Sequence, residues 1–178
     1  MAQKRTRFFL LISSIKNVKM KRSLMLLSLL IVVSVNAQQA TIIKFKDLNS
    51  LIQTKTDTTY VINFWATWCD PCVRELPSFL RLEKELANKK VKFHFVSLDF
   101  VRDYESQFLP FLSKHSMNNY VYLLDEPDYN SWIDKVDPHW LGSIPTTVII
   151  SHHPDSTFFN EGELSYESLS KIVNSLIH

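Results

Sequence analysis

Apolar and aromatic side chains run almost unbroken through Tyr60-Val61-Ile62-Asn63-Phe64-Trp65, a β-branched stretch without alternation. That pattern suits a central strand covered on both faces. Soon afterwards the period changes: Glu75, Phe79, Leu82 and Leu86 recur at steps of three and four and form one stripe on a helix reaching about Ala87. Short strands are predicted at Thr41 to Phe45, Val91 to Asp99, Tyr120 to Leu124, Thr146 to Ile150 and Ser156 to Glu161. Helical spacing appears from Phe45 to Gln53 through Leu48, Leu51 and Ile52. It returns after Ser165 through Leu169, Ile172, Val173, Leu176 and Ile177. A further helix from an Asp103 cap to about Lys114 would turn Tyr104, Phe108, Phe111 and Leu112 inward, with Pro110 kinking or ending it. Between Asp125 and Trp140 the chain is rich in turn formers, with a short helix around Tyr129 to Val136. Strands and helices in this order predict an α/β domain, a central mixed sheet flanked by helices on both faces.

With 178 residues and 46% hydrophobic content, one compact domain is expected. A net charge of +2 carries little, because much of the positive charge lies near the N-terminus, and nothing points to nucleic acid. Met20-Lys21-Arg22, the apolar run Leu24 to Val35 and the small residues up to Ala37 read as an export signal over residues 1–37. The domain then occupies residues 38–178, and Met20 is a candidate for the true start. An uncleaved membrane anchor is the alternative. In an exported, oxidising compartment a lone cysteine pair is better suited to catalysis than to bracing the fold.

Both cysteines of the chain, Cys69 and Cys72, fall where the central strand ends and the striped helix begins. A helix start offers unpaired amides and partial positive charge, which favour a thiolate. Cys69, nearer the exposed end, is expected to be the nucleophile, and Cys72, one turn further in, the resolving thiol. Pro71 suits the first helical turn. A zinc site would need two more ligands, and the chain has neither a second Cys pair nor a spaced His pair, since His152 and His153 are adjacent. No metal is therefore expected. His94 is read as a sheet histidine. Glu75 shares the apolar stripe, so its carboxyl is expected either to sit buried with a raised pKa and exchange a proton with Cys72, or to lean outward toward solvent. Arg81 and Glu85 read as a solvated pair on the outer face.

The run from Asn63 through Trp68-Cys69-Asp70-Pro71-Cys72 to Glu75-Leu76-Pro77 resembles the thioredoxin superfamily, in particular its TlpA/ResA-like thiol-disulfide oxidoreductases. The resemblance extends from about Ile42 to the end of the chain and implies a thioredoxin fold. Thioredoxins carry a buried Asp where this chain has Asn63, which takes no proton. TlpA/ResA-like proteins place an acid near the thiols at the position of Glu75. They also carry a cis proline facing the cysteines, a place matched by Ile144-Pro145, whose backbone would pair with an extended substrate. The resemblance implies a redox-active disulfide with no cofactor, acting as a reductant of exported protein disulfides, apocytochromes among them. A membrane or exported thiol would donate the electrons. Asp70 and Pro71 would tune the potential, and Trp68, with Trp132 and Trp140 as core or rim candidates, would help receive substrate. Two rivals remain: a copper metallochaperone using the thiols and His139, and a binding module without turnover. A peroxidase would hold its two cysteines apart.

Overall fold

The computed structural model describes residues 40–117, 119–152 and 155–177, so the expected export signal lies outside the described residues. Strands β1 (Thr41–Ile43), β2 (Thr59–Trp65), β3 (Val91–Ser97), β4 (Val121–Leu124), β5 (Thr146–His152) and β6 (Asp155–Glu161) form one sheet in the order β1-β4-β3-β2-β5-β6. The first four run parallel, β5 is antiparallel to β2, and β6 is antiparallel to β5. The helices are α1 (Phe45–Gln53), α2 (Asp70–Glu85), α3 (Leu109–His115), α4 (Ile133–Val136) and α5 (Tyr166–Leu176).

Every residue of β2 is buried, which explains its unbroken apolar sequence. Val61 and Trp65 face a core made with Cys72, Leu76, Phe79 and Leu82 of α2, Leu112 of α3, and Leu169 and Val173 of α5. Tyr60, Ile62 and Phe64 face the opposite core with Leu48 of α1, Trp132 and Trp140. The period of two places Asn63 on the α2 side, among apolar neighbours. Pro77 lies inside α2, yet the helix continues to Glu85.

Three expectations are corrected. The helix predicted from Asp103 to Lys114 divides into a 3-10 turn at Val101–Asp103, a π-helical turn at Tyr104–Phe108 and α3. Pro110 enters the first turn of α3, where a missing N–H costs nothing. Just before it, the Leu109 N–H reaches back five residues to the Tyr104 carbonyl, and Asp103 makes no side-chain cap. The strand placed at Tyr120 begins at Val121, because Tyr120 takes a left-handed φ of 46°. Phe45 belongs to α1 rather than to β1.

Candidate active site

β2 and β3 are adjacent and parallel, with Trp65 beside Ser97, so their carboxyl ends open onto the same edge of the sheet. The loop leaving β2 is anchored there by Asp99, which is 5% exposed. Its carboxylate accepts from the Thr67 amide at 3.0 Å, the Thr67 hydroxyl at 2.6 Å and the Ser97 hydroxyl at 2.6 Å. Sequence reading missed Asp99. The available signal was an acid two residues beyond β3, whose end lines up with that of β2.

From this anchored loop the chain enters α2 with Cys69 as its N-cap, and the Cys69 Sγ accepts from the Cys72 amide at 3.3 Å. Cys69 and Cys72 are joined by a disulfide with Cα atoms 5.2 Å apart. Asp70 and Pro71 complete the first turn, where an acid suits the helix dipole and a proline lacks an N–H that would have no partner. Cys72 is fully buried and Cys69 is 6% exposed, so the leading cysteine is the more accessible of two well-covered residues. The Ile144 carbonyl oxygen lies 3.6 Å from the Cys69 Sγ, and the Ile144–Pro145 peptide bond is cis.

Trp68 is 58% exposed beside Cys69. Trp68 and Ile144 are two walls of a groove of about 350 Å³ whose lining also includes Tyr129, Ile133 and Leu141. Trp132 and Trp140 belong instead to the core, Trp132 stacked on Phe64 with ring centroids 6.1 Å apart and Trp140 tilted against it at 4.6 Å. Neither forms part of the rim, because their rings fill the space between the sheet and the segment that follows β4.

Behind the disulfide, Glu75 turns inward and is 1% exposed. It lies one helical turn after Cys72, on the same face of α2. Its two oxygens accept from the Asn63 side-chain amide and from the Leu164 backbone amide, both at 2.8 Å. Burial raises its pKa to about 7 against these two hydrogen bonds, and nearby Glu163 adds to the rise. Asn63 also donates to the Thr147 hydroxyl at 3.2 Å, while its own Oδ1 has no hydrogen-bond partner among the described residues. Thr147, two residues after Pro145, and the Leu164 amide reach this cluster from β5 and from the turn before α5, both distant in sequence from α2.

Neither His94 nor His139 lines the groove or bonds to a cysteine. His94 is buried among the rings of Tyr60, Tyr120 and Tyr122, with neither nitrogen bonded within the described residues. Burial, with Lys92 nearby, lowers its pKa to about 4. The His139 ring is exposed and lies 3.0 Å from Asp137 through Nδ1.

The arrangement therefore comprises a coverable sulfur at a helix N-terminus, a second sulfur one turn behind it, a buried carboxyl that changes charge near neutrality, and a backbone carbonyl facing the first sulfur. The chain is 30% identical over 124 residues to the thiol-disulfide oxidoreductase ResA of Oceanobacillus iheyensis, a match covering 65% of this chain and 56% of that protein. It thus spans little more than half the length of that relative. Among solved structures it is similar to a thioredoxin-related protein from Neisseria meningitidis serogroup B, with a TM-score of 0.56, 23% identity, and coverage of 70% of this chain and 89% of that one. It is also similar to a thiol:disulfide interchange protein of the thioredoxin family from Chlorobium tepidum, with a TM-score of 0.52, 23% identity, and coverage of 67% and 80%. These two likenesses show the thioredoxin fold. Residues 31–154, more than half of the sequence, match the model of the AhpC/TSA family, and the chain belongs to that family.

Proposed function

We propose that the protein is an exported thiol-disulfide oxidoreductase that reduces disulfides of other proteins. The observation that carries this reading is the Cys69–Cys72 disulfide at the start of α2, with buried Glu75 one turn behind it.

In the reduced protein the Cys69 thiolate, favoured by the amides at the start of α2, attacks one sulfur of a substrate disulfide. A mixed disulfide forms and the first substrate thiolate leaves. Glu75 as carboxylate accepts the Cys72 proton, and the Cys72 thiolate attacks the Cys69 sulfur. The second substrate thiolate leaves and takes up a proton. Two electrons have then passed to the substrate, and the Cys69–Cys72 disulfide remains. A thiol donor, membrane-bound or exported, restores the dithiol by the reverse exchange. No cofactor takes part.

Asp70, adjacent to the attacking thiolate, disfavours that charge and draws the couple toward the reducing side. Export rests on the basic, apolar and small-residue order of residues 20–37. Among the described residues no helix is long and apolar enough to cross a membrane. The ResA resemblance brings apocytochromes awaiting haem into the set of substrates.

The test is the equilibrium potential of the Cys69–Cys72 couple against glutathione, paired with insulin reduction. A reductant should settle near the roughly −270 mV of thioredoxins, and a value toward −120 mV would reverse the direction of electron flow. Tight Cu(I) binding without turnover would replace the reading with that of a metallochaperone.

A further inference from the structure

Glu161, the last residue of β6, binds a segment of chain that precedes the cis proline. One oxygen accepts from the Ser143 amide at 2.8 Å and the Ser143 hydroxyl at 2.7 Å, and the other from the Leu141 amide at 3.1 Å. On its far side, the Ser143 carbonyl accepts from the Trp140 indole at 2.9 Å and the Thr146 hydroxyl at 2.8 Å. The Gly162 amide, next after Glu161, donates to the Pro145 carbonyl at 2.8 Å. Between these ties Gly142 takes a φ of +94°, and a Cβ there would come within 3.3 Å of Ile133 Cδ1. A strap fastened at so many points is a fixed part of the fold.

That strap presents Leu141 with 92% of its surface exposed. A single exposed leucine is ordinary. Here it shares one groove with Trp68, Tyr129, Ile133 and Ile144, and such a grouping of apolar side chains marks a contact surface. Its occupant follows from position. In a mixed disulfide the substrate half-cystine lies about 2 Å from the Cys69 sulfur, and an extended chain advances about 3.3 Å per residue. Residues flanking that half-cystine therefore pass over the groove, whose Ile144 wall lies 3.6 Å from the same sulfur. Asp70, Asp128 and Asp134 are exposed and adjoin Cys69, Tyr129 and Ile133 in the chain, with Lys135 following Asp134, a local excess of negative charge that disfavours acidic segments.

We propose that Glu161 is a positioning residue for substrate: by holding the Leu141–Ser143 strap it keeps Leu141 and Ile144 as one wall of a groove that receives an extended polypeptide carrying a large apolar residue next to its half-cystine. The inference rests on the oxidoreductase reading of Cys69 and Cys72. Burial opposes the Glu161 charge, but the Ser143 and Leu141 donors outweigh it and lower its pKa, so the clamp stays charged at neutral pH.

The test measures reduction of peptide disulfides that carry Leu, Gly or Asp beside the half-cystine, using the full chain. The wild type should favour Leu over Gly by about tenfold in kcat/KM, and Asp should be poorest. Glu161→Ala should bring the Leu-to-Gly ratio close to one, mainly through KM, while the Cys69–Cys72 potential stays the same. Glu161→Gln, which keeps an acceptor, should retain part of the preference. Leu141→Ser, at a fully exposed position, should abolish it with the clamp intact, and so serves if Glu161→Ala does not fold. Equal use of Leu and Gly peptides by the wild type, or full preference retained in a folded Glu161→Ala or in Leu141→Ser, overturns the proposal. A wild type that reduces no disulfide at all overturns the parent reading, and this one with it.

Discussion

Asn63 donates its side-chain amide to Glu75 across 2.8 Å while its own Oδ1 has no hydrogen-bond partner among the described residues. The bond matches an ionised Glu75. Once Glu75 takes up a proton, turning the amide over would set Oδ1 against the new O–H and would let it accept from the Thr147 hydroxyl as well. An asparagine can serve both charge states of its neighbour, whereas an aspartate would compete for the proton. The Asn63 side-chain amide resonances are expected to titrate together with the Glu75 carboxyl near pH 7. In Asn63→Asp the two carboxyls should titrate as a coupled pair with separated apparent pKa values, readable by carbon NMR.

If Glu75 takes the Cys72 proton, Glu75→Gln should slow resolution of the mixed disulfide by about 10²-fold or more, the usual range for a positioned base. Attack by Cys69 should change much less. Rapid-mixing kinetics with a chromogenic disulfide separates the two steps, and an unchanged resolution rate would remove the proton role.

Glu75 and His94 bend the stability profile in opposite directions. The folded pKa of Glu75 is raised to about 7 from 4.5, so its contribution is full below pH 4.5 and is lost as pH rises to 7. That of His94 is lowered to about 4 from 6.5, so its contribution is full above pH 6.5 and is lost as pH falls to 4. Each effect amounts to about 3 kcal/mol at full extent, and between pH 4.5 and 6.5 they oppose each other. Urea unfolding should therefore show a shallow profile for the wild type over that range. Glu75→Gln should leave stability rising with pH, and His94→Phe should leave it falling.

The tryptophans should separate cleanly. Trp132→Ala opens a hole between Phe45, Phe64 and Trp140, and should cost about 3–5 kcal/mol. Trp68→Ala removes an exposed ring and should move stability by less than about 0.5 kcal/mol while raising KM for protein disulfides. Thermal melts paired with insulin reduction distinguish the two.

Asp99→Ala leaves the Thr67 amide and two hydroxyls without their acceptor in a largely buried place. A loss of about 2–4 kcal/mol is expected from the stranded donors. Denaturant midpoints measure it, with Thr67→Val as a milder control that leaves the amide bond in place.

The sequence by itself determined β2, α2 and the meeting of Cys69 and Cys72 between them, because a strand buried on both faces and a helix with one apolar stripe each impose a local period. It also marked Glu75, since a carboxyl on an apolar stripe stands out wherever the helix packs, although the period alone left open whether that carboxyl faced inward. Only the tertiary structure decided that question, with Asn63 and the Leu164 amide meeting Glu75 from other elements. Tertiary packing likewise placed Trp132 and Trp140 in the core, began β4 after Tyr120, and shifted α3 so that Pro110 fell in its first turn. Asp99 and Glu161 were invisible for the same physical reason. Each fastens a loop through backbone amides 18 to 32 residues away and through Ser or Thr hydroxyls, and neither an amide nor a lone hydroxyl in a loop forms a pattern that pairs it with its carboxylate.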